Sequence, residues 1–181
     1  MIQTKRLLLR QWQPSDFPLF AELCADSEVM KYFPSTLSRA ESDDFVARIQ
    51  GLIAERGWGL WAVEVPGVSD FIGFVGLHVP KDYLPFSPCV EIGWRSAKSY
   101  WGKGYASEAA TAALGYAFTE LQLDEVLSFT AVANLPSAAV MKRIGMTNTH
   151  RNFMHPDIEA GHPLCEHVLY RLDRSEWARG D

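Results

Sequence analysis

The chain has 181 residues, 48% apolar and 22% charged, with a formal net charge of −5. That length accommodates one domain with a sizeable core, and the composition is ordinary for a soluble globular protein. The negative balance excludes a nucleic-acid partner, whose phosphates demand clustered Lys and Arg, and mildly favours amine-bearing substrates. No apolar run approaches the ~20 residues of a membrane helix. Arg6 and Arg10 interrupt Leu7-Leu8-Leu9, so no signal-peptide pattern forms. The expectation is a cytoplasmic protein with no membrane partner, folded as a single domain over residues 1–181.

Cys24, Cys89 and Cys165 are odd in number and far apart, which argues against a disulfide framework. His150, His155, His162 and His167 crowd the C-terminal part, but their spacings fit no zinc pattern. No metal is expected, and a polar loop explains these histidines as well.

Taken in chain order, Thr4 to Trp12 reads as a first strand. A helix follows from Pro14-Ser15-Asp16, with Phe17, Phe20, Leu23 and Cys24 on one face. Ser38 to Glu55 predicts a longer helix in which Ser38 and Glu41 form a capping box and Phe45, Ile49 and Leu52 share a side; Gly57 ends it. Trp58 to Val65 and Phe71 to Val79 predict a hairpin, and Lys81 to Pro88 a loop. Cys89 to Arg95 is the next strand. Tyr105 to Leu121 predicts a helix with a small-sided apolar stripe through Ala106, Ala109, Ala110, Ala113, Leu114, Ala117, Phe118 and Leu121. Val126 to Ala133 is a strand and Leu135 to Ile144 a short helix, with Asn134 as N-cap, Pro136 in its first turn and Gly145 beyond its end. Met146 to Phe153 and Leu164 to Leu172 predict a closing antiparallel pair. The alternation implies an α/β fold with a mixed sheet and helices on both faces.

The chemistry is expected in the loop Gly102-Lys103-Gly104-Tyr105-Ala106-Ser107. Unpaired N–H groups at a helix start form an anion cradle, glycines let a phosphate approach, and Lys103, with Lys98 nearby, adds charge. A plain glycine turn before a helix would read the same from Gly-x-Gly alone. A Walker loop needs Ser or Thr after Gly-Lys, and here Gly104 follows Lys103. Gly102-x-Gly104-x-x-Ser107 nearly fits a dinucleotide fingerprint, but the next strand ends at Ala133-Asn134 without the acid that would hold a ribose.

Trp101-Gly102-Lys103-Gly104-Tyr105-Ala106 resembles the cofactor motif of the GNAT superfamily of acetyl-CoA-dependent N-acetyltransferases, except that Trp101 stands where that family has Gln or Arg. The longer run Glu91-Ile92-Gly93-Trp94 … Tyr100-Trp101-Gly102-Lys103-Gly104-Tyr105-Ala106-Ser107-Glu108-Ala109 is similar to the branch that acetylates ribosomal-protein N-termini. So are Thr4-Lys5-Arg6-Leu7-Leu8-Leu9-Arg10 and Asn134-Leu135-Pro136-Ser137 … Lys142-Arg143-Ile144-Gly145-Met146. The resemblance implies a mixed sheet with a splayed strand pair. It implies acetyl-CoA as cosubstrate, held by the backbone of Ile92, Gly93 and Trp94 and by the Gly102, Lys103, Gly104, Tyr105, Ala106 and Ser107 loop, with Asn134 beside the pantetheine. It further implies direct attack of an amine on the thioester.

For that reaction Glu91 is the candidate base, the other reading being a paired or solvated strand carboxylate. The family's usual proton-donating tyrosine is replaced by Met141, leaving Ser137 as candidate acid or as a plain helix-start residue. Trp12, Trp58, Trp61, Tyr83 and Phe86 are either core or acceptor pocket. A peptide N-terminal amine is the acceptor the branch resemblance favours, with a small-molecule amine, or a sensor that binds acetyl-CoA without catalysis, as the alternatives.

Overall fold

The computed structural model describes residues 1–178. In chain order the elements are β1 (Ile2–Gln3), β2 (Leu8–Arg10), α1 (Asp16–Ala25), α2 (Arg39–Arg56), β3 (Leu60–Val65), β4 (Ser69–His78) and β5 (Glu91–Ser96), then a single 3-10 turn (Lys98–Tyr100). There follow α3 (Tyr105–Thr119), β6 (Glu125–Ala131), α4 (Leu135–Arg143), β7 (Thr147–Asn148), β8 (Phe153–Met154), β9 (Glu166–Asp173) and α5 (Arg174–Trp177). The strands form one sheet in the order β1-β2-β3-β4-β5-β6-β9-β7, with β8 also pairing β9. Every pairing is antiparallel except β5 with β6.

Strand alternation sorts side chains to two faces. Trp61 and its cross-strand partner Val75 point to the α3 side, where Trp61 meets Tyr116 edge-on at 5.4 Å. Ala62 and its partner Phe74 point the other way, where Phe74 packs with Phe20 of α1 and Phe45 of α2. Helices therefore cover both faces. The small-residue stripe of α3 (Ala109, Ala110, Ala113, Leu114, Ala117, Phe118) is buried on the sheet as expected.

Both bonds of the Ser38–Glu41 capping box form, and Gly57 closes α2 in the left-handed region at φ 82°. The buried stripe of α2, however, is Ser42, Val46, Ile49 and Ile53, with Leu52 half-buried to one side. Four further expectations need correction. The strand predicted over Thr4 to Trp12 is only Leu8–Arg10, because Thr4 folds back to bond Leu7. The strand at 146–153 splits into β7 and β8 because His150 takes φ 56°, a left-handed kink that leaves the ladder. The Cys89 to Arg95 and Val126 to Ala133 strands begin and end one or two residues away, as Glu91–Ser96 and Glu125–Ala131.

The entry to α1 rests on a buried ion cluster. Arg10 donates from Nη1 and Nη2 to the two Asp16 oxygens at 2.7 and 3.0 Å and from Nε to Glu64 at 2.9 Å. Asp16 also accepts from the Gln13 N–H at 2.8 Å. Removing one partner of a buried pair strands the other charge. Asp16→Ala is expected to lower unfolding stability by roughly 3 kcal/mol, read from the urea midpoint. A change under about 1 kcal/mol would show that Glu64 alone compensates Arg10.

Candidate active site

β5 and β6 run parallel but pair in register at one position, Glu91 with Leu127, backed by the Leu127 N–H to Val90 C=O bond at 3.0 Å. One step further on, the Ser128 hydroxyl, not a β6 N–H, donates to the Ile92 carbonyl at 2.9 Å. The strands then part, which frees the β6-facing edge of β5 beyond Ile92. An extended ligand can pair with such an edge as an added strand would. Residues Ile92, Gly93 and Trp94 lie in β5 at and beyond the point of parting.

Beyond β5 the 3-10 turn leads to Gly102 at φ 73° and Gly104 at φ 79°, both in the region that favours glycine. Gly104 is the N-cap of α3 and offers no side-chain cap, so the first N–H groups of this 15-residue helix face outward. A Cβ at Gly102 would meet nothing within 4 Å, and one at Gly104 only the Arg6 guanidinium at 3.4 Å. An open, uncapped, glycine-led helix start fits a diphosphate. Lys103 lies over the Tyr100 ring at 5.2 Å, within the same loop. Trp101, at the motif's departing position, donates its indole N–H to the Ser96 carbonyl at 2.9 Å and braces the turn.

Two arginines that sequence reasoning did not single out complete this mouth. Arg6 donates from Nη1 to the Lys103 carbonyl at 3.0 Å and from Nε to Glu108 at 2.6 Å, stacking over Tyr105 at 4.8 Å. Arg143 donates to the Ser107 hydroxyl at 3.2 Å. Arg6 stands beside Lys5 just before the Leu7-Leu8-Leu9 run, and nothing local marked either Arg6 or Arg143 for the loop.

Glu91 sits at the point where the strands separate. Burial pushes its carboxyl up to about 8, into the range where a base works near neutral pH. The neighbouring Cys89 thiol is pushed up to about 11 by burial, and then by the charges of Glu91 and Glu125. Glu91→Gln is therefore expected to lower the Cys89 pKa, read as faster disulfide exchange with an aromatic disulfide reagent at fixed pH. Cys24 and Cys165 are buried and stay silent. No change in that rate would place the Glu91 carboxylate away from the thiol.

Asn134 is nearly buried and committed to the fold: its Oδ1 accepts from the Ser137 N–H at 3.3 Å and its Nδ2 donates to Thr130 Oγ1 at 2.8 Å. Ser137 lies half-buried in the first turn of α4. Met141, one turn on, is core. Of the aromatic candidates, Trp12 and Trp61 are buried and Trp58 packs against the core. Tyr83 is exposed and bonds Asp157. Phe86 instead joins an unforeseen cluster with Phe129, Phe153, His155 and His167, whose rings sit 4.9 to 6.2 Å apart. Burial lowers the pKa of both histidines. Among the described residues, no group of three or more His, Cys, Asp or Glu is placed to hold a metal ion, and no helix is long and apolar enough to cross a membrane.

A mixed sheet parted beside a half-buried acid, with a glycine-led helix start at its mouth, gives an α/β fold with an open strand edge and an anion-ready helix start. The comparisons name its family. The acetyltransferase (GNAT) domain model matches residues 6–147. An uncharacterized N-acetyltransferase of Bacillus subtilis (strain 168) is 34% identical over 179 residues, covering 97% of this chain and 98% of its own. The crystal structure of a GNAT-family acetyltransferase from Bacillus anthracis aligns with a TM-score of 0.80 at 30% identity, covering 96% of this chain and 98% of that one. At 20% and 15% identity the same fold, with a TM-score of 0.75 in each case, recurs in two further solved structures. One is a spermidine N-acetyltransferase from Vibrio cholerae in complex with CoA and spermine, covering 97% of this chain and 99% of that one. The other is a ribosomal-protein-S5-alanine acetyltransferase from Vibrio fischeri, with 97% of each chain covered. The chain belongs to the GNAT family and is an acetyltransferase.

Proposed function

We propose that the protein moves an acetyl group from acetyl-CoA to a primary amine by direct attack, and that residues 1–181 form one catalytic domain. The observation that carries this reading is the parting of β5 from β6 beside Glu91. The backbone of Ile92, Gly93 and Trp94 holds the pantetheine arm. The N–H groups of Gly102, Lys103, Gly104, Tyr105, Ala106 and Ser107 hold the diphosphate, with Arg6 fixing the loop through the Lys103 carbonyl. Asn134 shapes the pantetheine side by capping α4. Three unpaired cysteines suit a reducing compartment, and we place the reaction in the cytoplasm.

Glu91, as carboxylate, takes the proton of the attacking amine. The nitrogen bonds the thioester carbonyl carbon, and a β5 backbone N–H steadies the oxyanion. The C–S bond then breaks and the thiolate leaves. A thiol of pKa ~8.5 leaves tolerably unaided, and Ser137 supplies its proton directly or through water. The acceptor is a peptide N-terminal amine: its pKa of ~7.7–8.0 leaves a useful fraction, roughly a tenth or more, neutral at pH 7, whereas a lysine near ~10.4 is almost wholly charged. The resemblance to the ribosomal-protein branch supports the same choice, while the spermidine enzyme with this fold keeps small amines as the second reading.

The test is a panel of free-N-terminus peptides and small amines incubated with acetyl-CoA and read by product mass. CoA bound tightly with no acetylated product across the panel would identify a sensor. Independently, acetyl-CoA and CoA are expected to raise the melting temperature by mass action, and NADH is not. Equal stabilisation by NADH would point back to a dinucleotide site.

A further inference from the structure

Arg95, on β5, has no charge to answer it. Its guanidinium carbon lies 4.3 Å from the Phe33 ring centre, 5.5 Å from Phe74, and 5.8 Å from both Phe20 and Phe45. Nη1 donates to the Cys24 sulfur at 3.2 Å, while Nε is sealed from solvent without a hydrogen-bond partner. Burial raises the Cys24 thiol, so it stays neutral and supplies no counter-charge. Among the described residues Arg95 enters no ion pair. Burial pulls the guanidinium pKa down, but a guanidinium does not deprotonate in a protein. Arg10, buried in the same sheet, shows the ordinary solution, with Asp16 and Glu64 both on it. The residue as a whole is partly buried, but its Nε is sealed from solvent among these rings, and a desolvated cation lacking such partners is costly unless a ligand brings the anion.

The place of Arg95 says which ligand. Glu91, Gly93 and Arg95 alternate on one face of β5, opposite His78, Gly76 and Phe74 of β4. A Cβ on Gly93 would meet nothing within 4 Å, so the space between the acid and the guanidinium is open. Gly76, its partner, has no such room: a Cβ there would come 2.1 Å from the Gly59 carbonyl. Successive same-face positions are ~6.8 Å apart along a strand. Half-exposed Phe33, on the segment between α1 and α2, covers the guanidinium from the solvent side.

We propose that Arg95 is the anion anchor of the acceptor site and binds a carboxylate carried by the acceptor. The planar guanidinium of Arg95 matches a carboxylate bidentately. The carboxylate belongs either to an α-amino acid or to an acidic residue next to a peptide N-terminus. This rests on the proposed amine acetylation and narrows its acceptor.

The experiment measures kcat/KM with acetyl-CoA for the common α-amino acids against their amides, and for short peptides with Asp or Glu second against the same peptides with Asn or Gln. The wild type is expected to prefer the acid member of at least one series by about 100-fold or more, and the series that shows it names the source. Arg95→Met is expected to bring acid and amide together, with Arg95→Lys in between. Equal use of acids and amides by the wild type, or an acid preference that survives Arg95→Met, overturns the proposal. If no amine is acetylated, the transfer reading itself fails, and the melting temperature of the free protein decides the anchor. An apolar isostere that relieves an uncompensated buried charge raises it, by about 3–8 °C; a fall marks Arg95 as a structural strut and overturns the anchor.

Discussion

Gly104→Asp is expected to abolish CoA binding while the protein stays folded. The aspartate places a side chain and a negative charge at the mouth of an uncapped helix, where the diphosphate must sit. It also forces an ordinary residue into φ 79°, at a cost of about 1–2 kcal/mol. That strain is affordable for a folded domain, and the Arg6 guanidinium within 3.4 Å of the new Cβ can partly pair the new charge. Folding is checked by the thermal transition and binding by CoA titration. Lys103→Ala should weaken binding only modestly, because the backbone donors remain. A folded Gly104→Asp that binds CoA normally would remove the diphosphate from this loop and with it the basis of the cofactor assignment.

The sequence made this loop readable because its requirements are local. Positive φ demands glycine at 102 and 104, an anion cradle demands a helix start, and close packing on a sheet demands the alanine stripe of α3. Each leaves a mark within about twenty residues of chain. The capping box at Ser38 and Glu41 and the Asn134–Pro136–Gly145 frame of α4 were legible for the same reason. What escaped depends on contacts far apart in the chain. Arg6 reaches Lys103 and Glu108, Arg143 reaches Ser107, and Ser128 reaches Ile92 across the parted strands. The aromatic–histidine cluster gathers Phe86, Phe129, Phe153, His155 and His167 from four separate segments. The face of α2 turned slightly from the expected one because Val46 and Ile53, not Phe45 and Leu52, lie deepest against the sheet. No local pattern states that Arg95 lacks a carboxylate, since the absence is a property of the assembled core.

Glu91→Gln is expected to lower turnover by about 10²–10⁴-fold with acetyl-CoA affinity nearly unchanged, because the amide keeps the shape and loses the proton acceptor. The pH profile makes the assignment sharper. A carboxyl raised to about 8 is mostly protonated at pH 7, so wild-type kcat/KM should climb as pH rises, pass its half-maximum near 8 and level off about a unit above. An α-amine of pKa ~7.7–8.0 loses its proton over the same interval and steepens the climb. An acceptor amine chosen to titrate well below 7 removes that second limb, leaving the Glu91 limb alone. Glu91→Gln should then show a flat profile through 8. Stability carries the opposite sign. With the folded pKa above the ordinary carboxyl value of 4.5, the folded state holds a proton that the unfolded chain has released between 4.5 and about 8. The wild type therefore loses stability across that window as pH rises, while the glutamine variant does not, so the variant's relative melting temperature should increase with pH. A turnover loss under about threefold, together with an unchanged pH limb, would demote Glu91 to a structural carboxylate. A large loss with the limb intact would instead place the base elsewhere on this face, with His78, the cross-strand partner of Glu91, the first titrating group to test by substitution.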